Sequence, residues 1–133
     1  MHGDSLCSDD KEYMQFRKML RSAPWQKEAL AKPLEERRAI AQHLRMASSE
    51  ANSNKAEDIM DVNSDDVLHE MQAHDCYRLI HGHTHRPMRH PLIIAGRPAE
   101  RIVLGDWDRA MWVLIANQDG LKLEETPFSN TAE

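Results

Sequence analysis

From Pro33 to Ser53 the chain reads PLEERRAIAQHLRMASSEANS, with apolar residues Ile40, Leu44, Ala47 and Ala51 at i, i+4, i+7 and i+11. That spacing forms one stripe of an α-helix, which Pro33 is placed to open. Two shorter helices are predicted before it. One runs from about Asp9 to Arg21, capped by Ser8 or Asp9, and the other is PWQKEALA, opened by Pro24. A fourth starts at Ser64 and turns Val67, Leu68 and Met71 inward. The period then changes. CYRLIH, residues 76–81, reads as a short apolar strand, and further strands are predicted near Leu92–Ala95, Arg101–Leu104, Ala110–Ala116 and Leu121–Glu125. AGRP and NQDG mark the turns between them. Residues 1–8 read as a strand tip and loop. The outline is helices first, then a mostly antiparallel run of strands.

Composition narrows what such a chain does. With 133 residues it forms one domain at most, and a mean hydropathy of −0.68 leaves only a thin core. Seventeen basic residues are interspersed with 22 acidic ones for a net charge of −5. No basic stripe suits nucleic acid, and none is expected as a partner. No apolar run approaches the ~18 residues of a membrane span. The opening MHGDSLCSDD is acidic and lacks an apolar signal core, which points to a cytoplasmic protein. Cys7 and Cys76, far apart and without CxxC spacing, are expected as reduced thiols.

The chemistry concentrates in IHGHTHRP, residues 80–87, where His81, His83 and His85 alternate. In an extended segment alternate side chains share one side, and neutral imidazole is the commonest metal ligand. Gly82 is expected to take backbone angles closed to other residues, and Pro87 to block further strand pairing. His83 and His85 are therefore candidate ligands at the end of a strand. A hydrolytic metal centre needs three or more protein ligands, and His2, in HGD, is the next candidate. His43, His69 and His74 are expected to be solvated. For His81 two roles stay open, orienting a neighbour or simple packing. The HxHxDH arrangement of metallo-β-lactamases is ruled out, because Arg86 and Pro87 follow the pair.

GHTHRP after an apolar strand, with a preceding MHGD, resembles the last two metal blocks of the calcineurin-like metallophosphoesterases. MHGDSLCSDDKEYMQFR, ASSEANSNKAEDIMDVN and LIHGHTHRP, taken in order, resemble the UDP-2,3-diacylglucosamine pyrophosphohydrolases of lipid A biosynthesis across nearly the whole chain. The resemblance implies an α/β fold: the C-terminal half of an αββα two-sheet sandwich, with residues 12–60 as a helical lid and 76–126 carrying GHTH and the last strands. It implies two Mn²⁺ ions, with His2 and His83 on one and His85 on the other. It also implies substrate contacts at Asp10, Ser48, Asn52, Lys55 and His83. The reaction implied is hydrolysis of UDP-2,3-diacylglucosamine to UMP and 2,3-diacylglucosamine 1-phosphate, at the cytoplasmic face of the inner membrane. The residues themselves add that Ser48, Asn52 and Lys55, at i, i+4 and i+7, share a helix face suited to a phosphorylated sugar.

The chain also departs from that pattern. DxH, GDxxD and GN(R/H)D, which supply the bridging aspartate and further ligands, are absent, so a missing N-terminal segment is expected. Half a sandwich exposes a sheet edge, and the isolated chain is expected to fold poorly or associate. WQKEALAKPLEERR is more charged than an acyl-binding lid would be. Asp106, in LGDWD, is expected to be structural. Two other readings remain: a non-catalytic metal-binding remnant, and a phosphodiesterase for another nucleotide.

Overall fold

The computed structural model describes residues 1–53 and 59–128, apart from the side chains of 51–53. Lys55 therefore lies outside the described residues, as does the side chain of Asn52. The chain forms two compact units, Cys7–Asp61 and a second built from Met1–Leu6 with the chain from Val62 onward.

The first unit is helical: α1 (Lys11–Leu20), α2 (Ala23–Ala31) and α3 (Leu34–Ser53). Asp10 caps α1, its Oδ1 accepting from the Tyr13 amide at 3.0 Å. Pro24 lies in the first turn of α2, where its missing N–H costs nothing. Ile40 and Leu44 of the predicted stripe are half-buried, whereas Ala47 is exposed. Together with Trp25, Ala29, Leu30 and Ala41 they line an apolar groove of about 380 Å³. No described helix is long and apolar enough to cross a membrane.

The second unit holds α4 (Ser64–Ala73) and the strands β1 (Arg78–His81), β2 (Met88–Ile94), β3 (Arg97–Val103), β4 (Ala110–Asn117) and β5 (Gly120–Pro127). Asn63 caps α4, its side chain accepting from the amides of Asp65 and Asp66 at 2.9 and 3.2 Å. One sheet has the order β1-β3-β2, with β1 and β3 parallel and β2 and β3 antiparallel; β4 and β5 form a separate hairpin. This is an α/β arrangement with one mixed and one antiparallel sheet. Leu79 and Ile94, from the face of the mixed sheet turned to α4, meet Val67 and Met71 in the core, which Leu6 completes.

Two expectations need correction. Pro87 does not hold off strand pairing, because β2 starts at the next residue, and β3 starts four residues earlier than the pattern suggested. Prolines are tolerated here because Pro91 lies on an edge strand and Pro98 lies before Glu100, where β3 first meets β1. The strand run is mostly antiparallel, as expected, and β1 with β3 is the parallel pair among the described strands, β2 lying between them in the chain. Residues 1–2 do lie along β1: the Met1 nitrogen donates to the Ile80 carbonyl, and the Gly82 amide to that of His2, both at 3.0 Å. A 3-10 turn, Asp4–Leu6, follows.

On the sheet's other face the Glu100 carboxylate accepts from Arg78 Nε at 2.7 Å and from Arg89 Nη2 at 2.6 Å. Arg89 also donates to the Leu121 carbonyl at 2.6 Å, tying the sheet to the hairpin. The Arg89 hydrogen bond, helped by Arg78 and opposed by burial, holds the Glu100 carboxyl below its ordinary value. A depressed carboxylate stabilises the fold above its unfolded pKa, and that contribution is lost as pH falls through the lower folded value. Glu100→Gln is therefore expected to cost about 1 kcal/mol at pH 7, the arginines being half-exposed. The gap to wild type should narrow at an acidic pH below the ordinary carboxylate range. Denaturant titrations at both pH values measure it, and a gap that persists in acid would contradict the assignment.

Candidate functional site

Strand β1 ends at His81, whose carbonyl accepts from the Leu104 amide at 2.8 Å. Beyond it the chain turns sharply, the Thr84 amide donating to the Gly82 carbonyl at 2.8 Å. His83 and His85 have φ of 67° and 53°, in the left-handed region that side chains seldom adopt. The alternation is therefore not that of an extended strand. Nor does Gly82 take the unusual angles: a Cβ there would come no nearer than 3.9 Å to the His2 carbonyl. Two histidines held in a costly conformation are the kind of strain that collects at ligand sites.

Pairing of residues 1–2 with β1 brings the two histidine blocks together. The His2 and His83 rings are 5.0 Å apart between centroids and inclined at 67°. Two imidazoles bound to one ion through bonds of about 2.1 Å would have centroids about 5 Å apart. The Thr84 hydroxyl, between His83 and His85, is buried with no hydrogen-bond partner among the described residues. A buried polar atom without a partner leaves room for a group that is yet to bind. The pair therefore fits a metal ion as a partial donor set. No group of three or more His, Cys, Asp or Glu suited to a metal forms among the described residues. His85 is not drawn into one; its Nδ1 lies 3.2 Å from Asp106 Oδ2 on the surface.

Of the other predicted residues, Asp10 and Ser48 belong to the helical unit. Asp10 is buried and caps α1, and Ser48 is exposed on α3. Asn52 lies in the same helix. Three contributors were missed by sequence reasoning: Gly3, Arg101 and the contact from Asp106 to His85. Asp106 lies within the quoted LGDWD and Gly3 within HGD, whereas Arg101 had no signal short of the fold.

Fold and site together define an α/β protein with an imidazole pair, suited to a metal ion, at the carboxyl end of a parallel strand. No family model matches the chain. Among curated proteins it is 54% identical over 123 residues to the UDP-2,3-diacylglucosamine hydrolase of Cellvibrio japonicus, across 92% of this chain and 51% of that protein. The hydrolase of the same name from Chromohalobacter salexigens is 55% identical over 134 residues, 99% of this chain and 54% of that protein. The Pseudomonas aeruginosa protein of that name is 47% identical over 130 residues, 96% of this chain. The chain belongs to the UDP-2,3-diacylglucosamine hydrolase family, and spans about half the length of the curated relatives it matches.

Proposed function

We propose that this chain carries the histidine-rich share of a two-metal centre that hydrolyses UDP-2,3-diacylglucosamine to UMP and 2,3-diacylglucosamine 1-phosphate. The meeting of His2 and His83 carries the reading, and the names of the relatives support its substrate. On it the strand unit is the C-terminal half of a calcineurin-like αββα sandwich, and residues 12–60 form its lid. His2 and His83 hold one Mn²⁺ and His85 the other, with the remaining ligands supplied by the other half of the relatives' length. Metal ions at such a site polarise a phosphoryl group and activate water. The chain's own part is to present neutral imidazoles in a fixed geometry, and Asp106 turns His85 by its contact with Nδ1. Asp10, Ser48, Asn52 and Lys55 bind the substrate. The groove between α2 and α3 supports a lid that accepts acyl chains, at the cytoplasmic face of the inner membrane.

A second reading is favoured by one observation, that the described residues gather no three-donor cluster. On that reading the chain alone binds metal without hydrolysis. Split complementation separates the two. The chain is mixed with the segment of the Cellvibrio japonicus relative that it does not match, and UMP release is followed with Mn²⁺. Release by the mixture, and none by the chain alone, is expected. A folded mixture that releases no UMP would overturn the hydrolase reading and leave the metal-binding one.

A further inference from the structure

Next to the imidazole pair lies His81, 1% exposed, a buried ionisable side chain to which the proposed chemistry gives no task. Its Nε2 is 3.2 Å from Arg101 Nη1, and its Nδ1 is 2.9 Å from the Gly82 carbonyl oxygen. A guanidinium only donates, so Nε2 must accept, and the ring proton must sit on Nδ1 and point to Gly82. The ring is thus neutral and bonded at both nitrogens. On its flank is Gly3, with φ of 105°, where a Cβ would lie 2.7 Å from His81 Nδ1 and 3.2 Å from its Cβ and Cγ. The imidazole therefore fills the space between the two chain segments, one residue from His2 and one residue from the hydrogen-bonded Gly82 that precedes His83. The Gly82 amide closes the arrangement by donating to the His2 carbonyl at 3.0 Å.

We propose that His81 is a positioning residue: its ring, held between Arg101 and the Gly82 carbonyl, wedges against Gly3 and sets the separation of the His2 and His83 imidazoles. The inference rests on the reading that those two histidines share a metal ion. Neither a larger nor an apolar side chain reproduces it. Phenylalanine fills the space but takes the His81 acceptor from Arg101 Nη1 and leaves the Gly82 carbonyl only the Thr84 amide of its two donors. Glutamine keeps an amide able to serve both partners and loses only the rigid ring.

Nitrogen-15 NMR of the histidines in the metal-free chain tests the first half. A single Nδ1–H tautomer at His81 is expected, with cross-relaxation between ring protons of His2 and His83. A proton on Nε2, or rapid averaging of the two forms, would overturn the inference without any variant. Mn²⁺ titration tests the second half. His81→Phe is expected to bind Mn²⁺ about tenfold more weakly, as lost support behind a ligand usually does, and His81→Gln to recover much of that. Phe and wild type binding alike, or Gln as weak as Phe, would overturn it. If His81→Phe does not fold, the wild-type tautomer and the Gln variant decide. Wild type binding no Mn²⁺ would sink the metal reading alone. Persistence of the His2–His83 ring contact in His81→Phe would then still overturn the positioning role, and its loss would support it.

Discussion

Replacing His83 with alanine is expected to lower UMP release by the complemented enzyme at least about a hundredfold, the several kcal/mol a metal ion contributes to phosphoryl chemistry. His83 is the most exposed to such an effect because two roles converge on it. Its ring is paired with His2 at 5.0 Å, and on the proposed reading it also meets the substrate phosphate. Its φ of 67° adds a control. His83→Asn suits the left-handed region, so it removes the imidazole with little backbone cost. Both variants should therefore lose activity while unfolding at nearly the wild-type temperature. Activity retained within threefold in either variant would remove His83 from the site.

Met71→Ala should have the largest effect on stability. Met71 is fully buried in α4, against Leu6, Val67, Leu79 and Ile94. Truncating such a side chain costs about 2–5 kcal/mol, from lost transfer energy and the cavity left behind. Against a total of about 5–15 kcal/mol for a domain, that is a large share. A fall in Tm of about 10 °C or more is expected for a unit of this size. Leu6 joins this core from the segment that carries His2, so the same variant should weaken Mn²⁺ binding. A shift under about 3 °C would mean that α4 does not close the core as described.

The helices were legible because their signals are local. Pro24 and Pro33 lie at helix starts, and the stripe from Ile40 to Leu44 needs only the 3.6-residue repeat. The strands were legible as hydrophobic runs, but their ends were not. Pro91 and Pro98 look like breaks until β2 is known to be an edge and β3 to extend beyond β1. The parallel pairing of β1 with β3 joins residues about twenty apart and leaves no local mark. The same holds for the site. GHTH and HGD announce imidazoles by type and spacing, and the structure brings His2 to His83. What fixes them is non-local: Gly3, His81 and Arg101 meet only through the fold. His83 and His85 do not share a side through strand alternation, because β1 ends at His81 and both occupy the turn that follows.

The central claim is that His2 and His83 of this chain share a metal ion. Pulsed electron paramagnetic resonance of Mn²⁺ bound to chain labelled with nitrogen-15 histidine tests it most directly. The account predicts coupling to two imidazole nitrogens at one ion, with one coupling lost in His2→Ala and the other in His83→Ala. Mn²⁺ bound without nitrogen coupling, or with a signal that neither substitution changes, would contradict it.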